Sequence, residues 1–147
     1  MVVLFVLLGA LVIFRGLGFA GFDPTSTWQG AAAWALAAMF LFTASAHFFA
    51  KTKEDFVAMV PKALPHPRLL VHLTGALEVL GAIGLLVPAA RSLAGLCLVL
   101  LLVAMFPANV NAAIKEVPMR GRPPTPLWLR LPMQLIFVGL TWWATQV

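Results

Sequence analysis

Charge is scarce in this sequence: 10% of its 147 residues are Asp, Glu, Lys or Arg, against about 25% in an ordinary soluble domain. With 62% of the residues hydrophobic and a mean hydropathy of +0.98, there is too little polar surface to coat a water-soluble globule. A soluble enzyme, a disordered tail and a disulfide-rich secreted module are excluded. Cysteine is nearly absent as well. Cys97, in the apolar run LAGLCLVLLLVAMF, is the single thiol. It supplies no internal disulfide, no CxxC redox pair and no iron–sulfur ligand set, and is expected to be a small buried hydrophobe. The scarce charge is also lopsided, with 10 basic residues against 5 acidic ones. Charges so few, and confined to loops, suit anionic lipid headgroups; the partner expected is a lipid bilayer and not nucleic acid.

What the chain does have is long apolar runs, over residues 2–22, 28–50, 69–87, 92–113 and 126–147. Arg15 interrupts the first, Asp23-Pro24 precedes the second, Pro88 ends the third and the fourth contains Pro107. Thr125 and Pro126 read as the cap and first turn of the last. Each run approaches or exceeds the roughly 20 residues that cross a bilayer, and none shows the in–out alternation of a membrane barrel. The reading is an all-α, polytopic membrane bundle of five transmembrane helices in a single domain, residues 1–147. No basic segment precedes the first run and no small-x-small cleavage site follows it, so it is read as a retained helix and not a signal peptide.

Five crossings put the termini on opposite sides. One side then receives Lys51, Lys53, Lys62, Arg68, Lys115, Arg120, Arg122 and Arg130, and the other only Arg15 and Arg91. The positive-inside rule places the N-terminus and the longer loops in the cytoplasm and the C-terminus outside. Trp128 falls at the cytoplasmic interface, and Trp28, Trp142 and Trp143 near the opposite one, as an aromatic belt requires. In the longest loop, Thr52-Lys53-Glu54-Asp55 resembles a capping box that opens a short helix. Phe56, Met59 and Val60 recur there at helical spacing opposite Lys53 and Glu54, and Pro61 and Pro65-His66-Pro67 end it. An amphipathic helix lying on the membrane face, as a connector or as a lid, is expected.

Gly16, Gly18 and Gly21 fit GxGxxG, but no strand precedes them; close helix packing explains them better, as it does Gly75, Gly81, Ala82 and Gly84. The polar residues within the spans carry more information, because hydrocarbon tolerates them only when they pair or face a cavity. They are Arg15, His47, Glu78, Asn109, Asn111 and Gln134. From the helical rise, His47 and Gln134 lie about 6 Å inward of Lys51 and Arg130, and Thr74 and Asn109 about 9 Å inward of Arg68 and Lys115. Glu78 is one turn below Thr74, and Thr43 one turn below His47. Arg130, Gln134, Val138 and Thr141 share a stripe on the last helix. His47, Thr74, Glu78, Asn109 and Gln134 are therefore expected to converge on one interior pocket open toward the cytoplasm, as ligand-binding or proton-handling groups. Pro107 leaves the Val103 carbonyl without its helical donor and is expected to kink the fourth helix beside Asn109. Glu78 needs a partner or a proton, and Arg15 is a candidate for the charge. His72 lies near the same depth, about 120° from Glu78 around its helix; a haem between His47 and His72 is conceivable, but no further ligand pattern supports one and none is expected. No zinc or iron site is expected either.

The stretches MFLFTASAHFF, MVPKALPHPRLLVHLTGALEVLGAIGLLVP and RSLAGLCLVLLLVAMFPANV resemble the DoxX-like family of small bacterial integral membrane proteins. The resemblance covers residues 36–145 and rests on the order HF, TGxxExxGAxGLL, FPAN. Carried over by position, the family's polar motif residues fall on His47, Glu78, Pro107 and Asn109. The family implies a four-helix bundle, to which this chain adds an N-terminal helix, and residence in the bacterial cytoplasmic membrane. Its namesake is a subunit of a thiosulfate:quinone oxidoreductase, and distant relatives include a receptor-assembly chaperone. What the resemblance implies is a membrane subunit of a quinone-linked oxidoreductase or redox complex. The alternative is a non-catalytic binding or assembly protein that holds a partner helix or an apolar ligand. Because no residue set here supplies a redox centre, electron transfer calls for a quinone, another bound cofactor or a redox partner subunit. Catalytic status and homo-oligomerisation stay open at this point.

Overall fold

A computed structural model describes residues 2–119, 121, 123 and 125–146, without the side chain of Lys51. The charges expected at Lys51, Arg120 and Arg122 therefore lie outside the described residues and side chains. The described chain forms the helices α1 (Val2–Phe19), α2 (Trp28–Phe48), α3 (Ala50–Met59), α4 (Pro67–Leu86), α5 (Arg91–Ile114) and α6 (Leu127–Thr145). Four segments, Val2–Phe19, Trp28–Phe48, Pro67–Leu86 and Pro88–Ile114, are long and apolar enough to cross a membrane. Helix α6 has the length, at 19 residues, but Arg130, Pro132 and Gln134 dilute its hydropathy.

Helix α2 is the hub. It packs against α1, α4 and α6, while α4 packs on α5 and α5 on α6, so that α2, α4, α5 and α6 close a four-helix ring with α1 laid on the outside of α2. Composition explains the arrangement. Ala31, Ala32, Ala33, Ala35, Ala37 and Ala44 of α2 are all buried, and small side chains let neighbouring backbones close on several faces at once. Leu36, Met39 and Phe40 fill the centre with Leu85 and Leu98, and Leu7 brings α1 into the same core. The rest of α1 turns outward, with Phe5, Val12 and Ile13 exposed.

The helix ends depart from the expected ones in instructive ways. Thr27 caps α2, its hydroxyl accepting from Gly30 N at 3.0 Å. Of the three glycines near the end of α1, only Gly18 answers to close packing, and against the turn: a Cβ there would meet the Thr25 carbonyl. Gly16 faces open space, and Gly21 serves the turn with φ +99°. Thr52 is not a helix cap. Helix α3 starts at Ala50 after an extended Phe49, and the Thr52 hydroxyl donates back to the Ala46 carbonyl at 2.6 Å. Thr125 does not cap α6 either; that helix starts at Leu127, and the Thr125 carbonyl accepts from Arg130 Nε at 2.8 Å. Pro107 stays inside α5, which continues to Ile114. Cys97 is exposed, not buried, because the buried face of α5 runs through Ala94, Leu98, Leu101 and Leu102.

Candidate functional site

His47, in the last turn of α2, faces the first half of α4. The approach depends on Gly75: a Cβ there would lie 2.6 Å from His47 Cβ, so any larger residue would push the helices apart. His47 Nδ1 lies 2.8 Å from the Val71 carbonyl and 3.3 Å from Thr74 Oγ1. A carbonyl only accepts, so Nδ1 carries the proton and donates it. The Thr74 hydroxyl in turn donates to the Leu70 and Val71 carbonyls at 3.0 and 3.1 Å.

Nε2 is left 3.6 Å from Glu78 Oε1. That spacing is one of an ion pair and not of a hydrogen bond. Glu78 Oε2 accepts from Thr43 Oγ1 at 2.7 Å. With Nδ1 protonated, a neutral imidazole would turn a lone pair on Nε2 toward the carboxyl. One further proton, on imidazole or on carboxyl, would remove that clash and leave the pair without net charge. This is the state a low-dielectric interior tolerates. The two side chains are 7% and 4% exposed. Phe56 of α3 closes the site by stacking on the imidazole, with ring centroids 4.5 Å apart and planes 23° apart. The chemistry available is storage and exchange of one proton in a sealed place.

The other expected members lie toward the same end of the bundle but have partners of their own. Asn109 Oδ1 accepts from Arg130 Nη1 at 2.9 Å, and Gln134 Nε2 donates to the Leu102 carbonyl at 2.7 Å, next to the carbonyl that Pro107 releases. Asn111 Nδ2 donates to the Met59 carbonyl at 2.8 Å, tying α5 to the end of α3. Among the described residues no hydrogen bond joins the α5–α6 set to His47 or Glu78. The expected single open pocket is thus two networks, of which the α2–α4 one is closed: Gly75 lets the helices meet, and Phe56 fills the remaining gap.

Arg15 does not pair with Glu78. Helix α1 packs on α2, and the Arg15 guanidinium lies over Phe19 at 3.8 Å and Trp28 at 5.1 Å, while the ionic neighbour of Glu78 is His47. His72 is exposed beside Phe48, their ring centroids 6.0 Å apart. Among the described residues, no three His, Cys, Asp or Glu side chains gather as a metal-ligand set. Sequence reasoning left Thr43 and Arg130 out of the candidate site, although their helical registers, one turn from His47 and from Gln134, already pointed to both. The Val71 carbonyl carries no signal in sequence.

A second feature is an apolar groove of about 560 Å³ between α4 and α5, lined by Leu77, Leu80, Leu93, Ala94, Cys97 and Leu100 among others. Neither a curated protein nor a solved structure matches the chain. A family model does match, over residues 36–146, from the middle of α2 to the end of α6. The chain therefore belongs to the family described as Domain of unknown function (DUF8561), with α1 and the first turns of α2 lying outside the matched region.

Proposed function

We propose that this protein is a DoxX-like integral membrane protein whose His47–Glu78 pair exchanges a proton with an apolar redox ligand or a membrane partner, as in a subunit of a quinone-linked oxidoreductase. The observation that carries the reading is the buried His47–Glu78 acid–base pair, 3.6 Å apart and covered by the Phe56 ring. A buried pair that only fastened α2 to α4 would be replaceable by apolar side chains without loss, whereas one that holds a single exchangeable proton has a use at a site where charge is otherwise excluded. A quinone would supply the redox couple, accepting electrons and protons as it becomes quinol. The chain's own groups do the rest. Val71 and Thr74 hold the Nδ1 proton and so aim Nε2 at Glu78. Thr43 holds the carboxyl, and Phe56 excludes water until α3 shifts.

In this reading α6 crosses as a fifth span, α3 lies on the cytoplasmic face, the N-terminus is cytoplasmic and the C-terminus is outside. The charge asymmetry supports it. A reporter fused after Val147 should report the non-cytoplasmic side, and a cysteine at Lys62 in a Cys97→Ser background should label from the cytoplasm. A cytoplasmic C-terminus would remove the fifth crossing or invert the whole topology.

Glu78→Gln tests the site, because it keeps size and hydrogen bonding with Thr43 but takes away the titratable proton. Mass spectrometry of small molecules that copurify with the detergent-solubilised protein supplies the readout. Under the proposal the variant folds and loses a ligand that wild type retains; a folded variant with an unchanged ligand profile would reduce the pair to a helix fastener. The α4–α5 groove favours a second reading, an assembly protein that seats a partner helix, and crosslinking from Cys97 to another protein would support it.

A further inference from the structure

Among the described residues, the opposite end of the α1–α2 pair holds a cation with no anion. Arg15 sits inside a span, where an unpaired guanidinium is costly. Among the described residues the ion pairs are His47–Glu78 and Arg68–Glu54, so Arg15 has no carboxylate partner. Its Nε is buried and makes no hydrogen bond. The side chain runs toward the end of its helix. Its guanidinium carbon stands 3.8 Å from the centroid of Phe19, one turn on, and 5.1 Å from that of Trp28, the first residue of α2. The charge is thereby carried to the level where both helices end, as long cationic side chains do near an interface. Both rings stand outside the bundle, Phe19 77% and Trp28 58% exposed. The same wall carries another unpaired buried donor, Trp34 Nε1, whose ring meets Phe22 edge-on at 5.2 Å and Phe14 at 5.5 Å.

We propose that Arg15, Phe19 and Trp28 form a binding site for the phosphodiester of a phospholipid in the leaflet opposite α3. The planar guanidinium, braced by two aromatic faces, presents its free N–H groups to phosphate oxygens. Free phosphate offers the same oxygens but would have to shed its water beside apolar surface for a single cation. A lipid brings acyl chains that cover the exposed Val12 and Ile13 of α1. Arg15, Phe19 and Trp28 all lie outside the region that matches the family, so the site belongs to the part of the chain that precedes it. The proposal rests on α1 crossing the bilayer and not on the chemistry of Glu78.

Native mass spectrometry of the delipidated full-length protein, titrated with phosphatidylglycerol and separately with inorganic phosphate, tests it. Wild type should retain phosphatidylglycerol in the presence of excess inorganic phosphate. Arg15→Gln should bind it about tenfold more weakly, the scale of one lost charge-assisted contact, and Arg15→Lys should fall between, because lysine keeps the charge and loses the plane. Trp28→Ala, which removes an exposed ring and leaves the charge, should weaken retention by a smaller factor and guards against a folding defect in the arginine variants. Labelling of a cysteine at Ser26 from the non-cytoplasmic side, in a Cys97→Ser background, establishes for each variant that α1 still crosses. Retention in Glu78→Gln should match wild type, which separates this site from the proton pair. Equal retention by wild type and Arg15→Gln would overturn the site, and displacement of lipid by inorganic phosphate would overturn its assignment to a lipid.

Discussion

The α2–α4 junction buries polar side chains toward the α3 end of the bundle and the α5–α6 junction half-buries them, but the two satisfy them in opposite ways. Between α2 and α4, two ionisable groups answer each other, with Thr43, Thr74 and the Val71 carbonyl completing the set. Between α5 and α6, Gln134 and Arg130 spend donors on the backbone carbonyls of Leu102 and Thr125, and Asn109 accepts from Arg130. Backbone carbonyls cannot change protonation state. A network that ends on them is committed to one arrangement, whereas one that ends on a second titratable group retains a choice. That difference leaves α5–α6 with fixed fastenings and gives α2–α4 the titratable groups on which the proposed function rests.

The comparison breaks most visibly by truncation. Glu78→Ala leaves His47 Nε2 without its ionic partner in a sealed interior and should cost about 3–5 kcal/mol. Gln134→Ala removes one neutral bond to a carbonyl and should cost about 1 kcal/mol. Thermal unfolding in a single detergent measures both; similar losses would erase the distinction between the junctions.

Each junction also has a glycine at its closest approach, Gly75 against His47 and Gly95 against the Thr145 side chain. Alanine at either position overpacks and should cost about 1–3 kcal/mol. Only Gly75→Ala should move the His47 imidazole signals in NMR. Gly139, with nothing within 4 Å of an added Cβ, is the control; Gly139→Ala should stabilise α6 by about 0.5–1 kcal/mol. A smaller loss, about 1 kcal/mol, is expected from Asn109→Ala, which takes one acceptor from Arg130. The copurifying ligand should be unchanged.

Much of this was legible in the sequence. Hydropathy located the long apolar helices, and helical spacing put Thr74, Glu78 and His47 within reach of one another before any contact was known. Gly75 was read as a packing residue, and it admits His47. What sequence did not show follows from physical causes. The hub role of α2 depends on alanines, which register as weakly hydrophobic and give a helix no marked face. Exposure of Cys97 could not be read from an apolar run, because in such a run every face looks buried. The separation of Asn109 and Gln134 from His47 reflects partners that leave no mark in a side-chain pattern: the Leu102 and Thr125 carbonyls that Gln134 and Arg130 use. Thr52 followed by Asp55 imitates a capping box, yet the carbonyl of Ala46 captures the hydroxyl first.

The smallest expected effect concerns α3, the element that covers His47 and Glu78. On its outer side Glu54 pairs with Arg68 at 3.2 Å, with side chains 51% and 70% exposed. Such pairs contribute about 0–1 kcal/mol, because water screens them and two long side chains must be held still. The helix has better anchors. Thr52 donates to Ala46, Asn111 donates to the Met59 carbonyl, Met59 is 5% exposed, and Phe56 lies on the imidazole. Glu54→Gln should therefore change stability by less than about 0.5 kcal/mol, leave the His47 ring signals in place and lose what effect it has at high salt. Asn111→Ala, by contrast, should loosen α3 and increase hydrogen exchange at Phe56. If Glu54→Gln exposes His47 as readily as Asn111→Ala does, the cover over the pair is held by its surface charge and not by the contacts beneath it.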